Sequence, residues 1–171
     1  MHTLEGLEVR EARAQDLDAV ISILEEAARW MVRRGIEVWT PNSFSRRRIA
    51  DLIEGGEMYL AVLDGRPVGT FTLQWSDRET WGDVPDDAGY VHGLAINRSF
   101  AGTGLGREML RRAEQIVSRA KREYLRLDCV ADNEALNAYY RRAGFDYRGR
   151  AVVSGLAVSL YEKETGVSGA G

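Results

Sequence analysis

The order of patterns along these 171 residues predicts a mixed α/β fold with elements in the order β-α-α-β-β-β-α-β-α-β-β. Three observations carry the prediction. Apolar spacing switches repeatedly between the helical and the strand period. Asp64-Gly65 stands between two apolar runs as a hairpin signal. A glycine-rich turn at residues 102–106 leads from a strand straight into an amphipathic stretch.

Taken in order, residues 7–12 alternate as a first strand. Asp16 falls in the first turn of a long helix whose apolar face is Leu17, Val20, Ile21, Leu24, Ala28 and Met31, and Gly35 ends it. A second short helix is predicted from Pro41-Asn42-Ser43, with Ser43 as cap, to Gly55-Gly56. Residues 58–63 and 68–75 form the hairpin about Asp64-Gly65. Residues 76–89 are polar, contain Pro85 and several Asp, and read as a loop. The fourth strand spans 90–96. A helix with Leu105, Met109, Ala113, Ile116, Val117 and Ala120 on one face follows the glycine turn. The fifth strand spans 125–130, and a short helix begins near Glu134 with Asn133 as N-cap and Gly144 as the closing glycine. The tail closes as a hairpin over 145–150 and 152–161, and 166–171 is expected to be disordered.

Composition narrows the function classes. The chain has 44% hydrophobic residues, ordinary for one globular domain with a proper core. A net charge of −3 argues against nucleic acid as a partner. No apolar run reaches the length of a membrane span, and no secretory pattern opens the chain. The single cysteine, Cys129, lies inside a predicted strand and suits a reducing compartment. The expectation is a cytoplasmic protein.

The glycine turn carries the chemistry. A helix start rich in glycine presents backbone N–H groups backed by the positive end of the helix dipole, a cradle for phosphate. Gly102, Gly104 and Gly106 are spaced G-x-G-x-G, not the G-x-G-x-x-G of a dinucleotide fold. Asp128, in the next strand, falls about where a ribose-binding carboxylate would stand. Against a dinucleotide fold, residues 97–101 separate the glycines from their strand, and what precedes reads as helices and a hairpin.

A second block, residues 125–145, adds Asn133, Tyr140, Gly144 and Phe145 in the pattern Asn-x(6)-Tyr-x(3)-Gly-Phe. With the pattern (Arg/Gln)-x-x-Gly-x-(Gly/Ala) filled by Ala101-Gly102-Thr103-Gly104-Leu105-Gly106, the chain resembles the GNAT superfamily of acetyl-coenzyme-A-dependent N-acetyltransferases. Ala101 departs from the usual Arg or Gln, which removes a side-chain contact and leaves the backbone cradle. The resemblance implies a central mixed, mostly antiparallel, twisted sheet of about seven strands flanked by about four helices. It implies one N-acetyltransferase domain over residues 1–165.

It also implies a site. Leu94, Ala95 and Ile96 would bind the pantetheine arm through their backbone, and Gly102, Thr103, Gly104, Leu105, Gly106 and Arg107 would hold the pyrophosphate. Asn133 would bond the arm or cap its helix. Tyr140, a phenol of ordinary pKa near 10, would protonate the departing thiolate or simply pack in the core. Tyr-Val-His-Gly-Leu-Ala-Ile at residues 90–96 looks like the His-x-His-x-Leu-Ala-Val strand of arylalkylamine acetyltransferases, with Tyr90 replacing the first histidine. His92 takes the second and is the candidate proton relay; a structural histidine is the competing reading. On strand period, Tyr90, His92, Leu94 and Ile96 share a face. Asp87, Asp128 and Glu57 are other bases.

Trp30, Trp39, Tyr90 and Trp81, with Phe44 and Trp75 nearby in the pattern, are candidates to line an acceptor pocket, each also a plain core residue. Arg46-Arg47-Arg48 read as a solvated helix face. The expected cosubstrate is acetyl-CoA, with CoA as product and no metal. The expected partner is a small-molecule amine, with no nucleic acid and no membrane; a homodimer is compatible. A protein N-terminus or lysine as acceptor, a dinucleotide-dependent enzyme, and a non-catalytic acyl-CoA-binding module stand as alternatives.

Overall fold

The computed structural model describes residues 3–34 and 44–167. Gly35, Trp39 and the expected cap Ser43 lie outside these residues, as does the tail from 168 onward. Among the described residues, seven strands and five α-helices follow one another: β1 (Glu8–Glu11), α1 (Leu17–Arg33), α2 (Arg46–Glu54), β2 (Met58–Leu63), β3 (Arg66–Gln74), α3 (Arg78–Trp81), β4 (Ala88–Ile96), α4 (Leu105–Arg119), β5 (Tyr124–Val130), α5 (Glu134–Arg142), β6 (Asp146–Val153) and β7 (Leu156–Glu164). The sheet runs β1-β2-β3-β4-β5-β7-β6. It is mostly antiparallel, with β4 and β5 parallel, so the expected mixed architecture holds.

The chain resolves into two compact units, each made of two chain segments: Met1–Leu73 with Gly93–Leu110, and Gln74–His92 with Arg111–Gly171. In the first, the stripe of α1 that faces inward is Val20, Ile23, Leu24, Ala27 and Ala28, all buried at helical spacing. It meets Ile49 and Ile53 of α2, Met58 and Leu60 of β2, and Ala95 of β4 in one apolar cluster. The expected stripe is turned slightly: Ile23 and Ala27 are in it, while Ile21 and Met31 are half-buried. Ser45 caps α2 by accepting from Arg48 N at 2.9 Å. The β2–β3 hairpin turns at Asp64 and Gly65, with φ of 51° and 75°. Two positive φ values are what a tight turn matching the strand twist demands.

In the second unit, β4 opens beside β5 with Ala88–Tyr90 opposite Tyr124–Arg126. β7 pairs with β5 on one side and β6 on the other. Two expectations are corrected here. The segment 76–89 is not wholly loop: Asp77 accepts from Thr80 N at 3.3 Å and caps the one-turn helix α3, and β4 starts at Ala88. The tail hairpin turns at Ser154-Gly155, with φ of 51° and 79°, so both strands run three residues past their expected ends. Among the described residues, no helix is long and apolar enough to cross a membrane.

Candidate active site

The first unit holds the glycine turn at residues 102–106. Glu108 N donates to Gly104 O at 3.0 Å, the first bond of α4; the backbone of Leu105, Gly106 and Arg107 precedes it, at the helix end that favours anions. Thr103 shapes the turn from inside, its Oγ1 donating to Phe100 O at 2.6 Å and receiving Leu105 N at 3.4 Å. Gly102 and Gly104 hold φ of 76° and 85°, and a Cβ at either would meet nothing within 4 Å. Glycine suits that backbone conformation, and the space beside both positions is open. Ala101, Gly102 and Gly104 are exposed while Leu105 is buried, so Leu105 anchors the turn by its side chain.

Upstream of the turn, Ala95 is buried in the apolar cluster and Leu94 and Ile96 are half-buried. Gly93 takes φ of 60° inside β4. Glycine is the residue that takes such a backbone conformation without strain.

The second unit brings acid–base groups together. His92 Nε2 stands 3.2 Å from Asp77 Oδ2, within ion-pair range. Asp128 of β5 completes a cluster whose ligand atoms lie within 4.8 Å of one another. Among the described residues this is the one His/carboxylate group compact enough to hold a metal ion. Burial pushes the Asp77 carboxyl up, yet His92 and the bonds from Thr80 outweigh it and hold it below the usual range. Burial lifts the Asp128 carboxyl above that range, with His92 opposing and the Asp77 charge adding.

Tyr140 of α5 is buried among Tyr139, Phe145 and Tyr161, with ring centroids 5.4, 6.0 and 6.0 Å away. Burial, then the neighbouring Cys129, raises its pKa well above that of an ordinary phenol. The Cys129 thiol is itself pushed up to about 11 by burial, far from a nucleophilic thiolate at neutral pH. Asn133 caps α5, accepting from Leu136 N at 3.0 Å. Asn137, absent from the sequence-based candidates, ties the start of α5 to the end of β5. Its Nδ2 donates to Asn133 O at 2.8 Å and Val130 O at 3.2 Å, and its Oδ1 receives the Tyr161 hydroxyl at 2.7 Å.

Trp30, Trp75, Trp81 and Tyr90 each lie against a guanidinium. Trp81 and Tyr90 meet edge to face at 6.1 Å. Together with Tyr124 they surround the Arg126 guanidinium at 5.0, 5.7 and 5.2 Å. Arg126 donates to Tyr90 Oη at 2.9 Å and to Glu162 at 2.8 Å. In the first unit, Arg98 and Arg34 lie over Trp30 at 4.0 and 5.1 Å. Of the other bases considered, Asp87 stands beside Arg126 Nη1 at 3.4 Å. Glu57 is half-buried, and its backbone carbonyl accepts from Leu73 N. Arg46 pairs with Asp18 at 2.7 Å on the surface, as a solvated face would.

Comparison with known proteins identifies the family. The sequence model of the acetyltransferase (GNAT) family matches residues 20–145. YesJ of Bacillus subtilis (strain 168), an uncharacterized N-acetyltransferase, is 34% identical over 169 residues, covering 94% of this chain and 91% of its own. A GNAT-family acetyltransferase from Listeria monocytogenes 4b F2365 superposes with a TM-score of 0.80 at 30% identity, over 92% of this chain and 94% of that one. The aminoglycoside acetyltransferase AAC(6')-Ib, solved with coenzyme A and kanamycin, shares the fold, with a TM-score of 0.73, 18% identity, and 93% and 95% of the two chains covered. The glycine turn, the two sequence blocks and the strand order therefore converge, and this chain belongs to the GNAT family of acetyltransferases, enzymes of acetyl-CoA-dependent acyl transfer.

Proposed function

We propose that this protein acetylates a small-molecule primary amine by direct attack in a ternary complex with acetyl-CoA. The observation that carries the reading is the pairing, in one unit, of a histidine beside a carboxylate with a buried, proton-retaining tyrosine. Acetyl-CoA supplies an activated acetyl thioester; the rest falls to the chain's own groups. Backbone N–H groups of residues 102–107 hold the pyrophosphate, and the backbone of Leu94, Ala95 and Ile96 takes the pantetheine arm.

An alkylamine with pKa near 10.4 is neutral in only about one molecule in a few thousand at pH 7. His92 takes the ammonium proton. The freed lone pair then forms the C–N bond while the C–S bond breaks. Tyr140 gives its hydroxyl proton to the departing sulfur and is restored by the second proton, which the nitrogen loses as the amide forms. Cys129, buried and poorly ionised, is no acyl carrier, which favours direct transfer over an acetyl-enzyme. Trp81 and Tyr90 hold the Arg126 guanidinium, and the transfer calls for no metal. We take residues 1–165 as one catalytic domain working in the cytoplasm, where a lone thiol stays reduced.

Calorimetric titration with acetyl-CoA, CoA and NADH, followed by thiol-release assays on a panel of small amines and N-terminal peptides, tests the reading. Binding of acetyl-CoA and CoA alone, with thiol release on a small amine, is the expected result. Release only with peptides would move the acceptor to proteins. Nicotinamide binding without CoA binding would overturn the proposal.

A further inference from the structure

The partner of His92 lies 15 positions upstream, in a segment whose polar composition reads as loop. Asp77 is fixed from two directions. Its Oδ1 accepts from Thr80 N at 3.3 Å, capping α3, and its Oδ2 lies 3.2 Å from His92 Nε2. The side chain is only 10% exposed, while that of His92 is 34% exposed. A shielded carboxylate, anchored by a helix start and aimed at a more accessible imidazole, is arranged to orient the ring and to balance the charge it gains with a proton. The other carboxyl facing the imidazole, Asp128 from β5, is not matched to this task. It sits within the same 4.8 Å cluster, while the carboxylate oxygen in ion-pair range of Nε2, at 3.2 Å, is that of Asp77.

We infer that Asp77 is a positioning residue for the transfer reaction, forming with His92 an Asp–His dyad that sets the imidazole's orientation and steadies its protonated form. The inference rests on His92 being the base of the proposed function. In the step itself, the proton leaving the ammonium ends on the imidazole ring, and Asp77 stays a carboxylate throughout. Asp77 acts through His92 and touches neither acceptor nor thioester.

Asp77→Asn and Asp77→Ser test it, because Asn and Ser both cap helices well and so keep α3 started while removing the charge. The chain has two histidines, so imidazole signals of the full-length protein are followed by NMR against pH, with His92→Gln assigning the His92 signal. Both Asp77 variants are expected to move the His92 protonation midpoint to lower pH. They should lower kcat about tenfold or more, shift the acid limb of kcat/KM the same way, and leave KM for acetyl-CoA unchanged. Asp128→Asn should move the His92 midpoint less. An unmoved midpoint in folded Asp77 variants, or a larger shift from Asp128→Asn, overturns the dyad. Full turnover in His92→Gln would instead remove His92 as the base, a separate failure that the NMR titration distinguishes.

Discussion

Gly104→Ala separates the two reasons for a glycine at the start of α4. Gly104 holds φ of 85°, and a Cβ there meets no atom within 4 Å. The folded protein therefore loses conformational ease only, a left-handed residue with a side chain costing about 1–2 kcal/mol. For a chain of this length that lowers Tm by roughly 2–8 °C, read by calorimetry on the unliganded protein. Binding is affected differently. The added methyl enters the open space above the backbone that the pyrophosphate approaches, and a lost hydrogen bond to a charged group is worth about 1.5–3 kcal/mol. The Kd for CoA should rise roughly ten- to a hundredfold, with that for the amine acceptor unchanged. A lowered Tm with an unchanged Kd for CoA would refute the cradle, since the strain would then be purely architectural.

Gly69→Ala is the structural counterpart: its Cβ would lie 2.6 Å from Met109 Sδ and 3.1 Å from Ala95 O in a place where Met109 is fully buried. Overpacking of about 1–3 kcal/mol should appear in urea unfolding with Kd for CoA little changed. Tyr140→Phe keeps the ring contacts and removes the acid, so kcat should fall about a hundredfold or more while Tm holds; a rate within twofold of the wild type would remove Tyr140 from catalysis. Because its pKa is raised, activity needing its proton is lost only as pH climbs past the ordinary phenol value near 10, and a pH profile to that limit should show no tyrosine-dependent fall. Asp16, bonded to Arg10 at 2.8 Å, has its carboxyl lowered from 3.8, chiefly by that bond. Its folded-state pKa lies below the unfolded one, so its contribution is present above pH 3.8 and lost as pH falls through the lowered value. Asp16→Asn should therefore be less stable than the wild type at pH 5, and the gap should close toward pH 2 in acid unfolding curves.

What was legible in the sequence is what local chemistry dictates. Asp64-Gly65 names its turn because few residue pairs accept two positive φ values, and the start of α5 follows from Asn133 and the apolar spacing behind it. The glycine turn was readable for the same reason, Gly102 and Gly104 both holding a positive φ. What stayed hidden depends on partners distant in the chain. Asp77 in a polar stretch carries no mark that it will face His92. Asn137 lies on a helix whose apolar pattern draws attention elsewhere, although its bonds to Asn133, Val130 and Tyr161 anchor that helix. Trp81 and Tyr90 look like a cage for an external cation until Arg126, 36 residues beyond Tyr90, fills it. Gly93 gives no sign in strand alternation that its φ is positive.

The arginines over the tryptophans have an optical consequence. Trp30 lies under Arg98 and Arg34, Trp75 faces Arg122 at 5.4 Å, and Trp81 faces Arg126. A positive charge held against an indole shifts the energy of its excited state, so each of these rings emits at a wavelength set by its guanidinium. Arg98 lies just before the glycine turn and Arg126 in the strand that bears Asp128. Single-tryptophan variants keeping Trp30 or Trp81 would thus carry a built-in fluorophore for the anion cradle or for the proton-handling cluster, and ligand arrival at each becomes visible without a label.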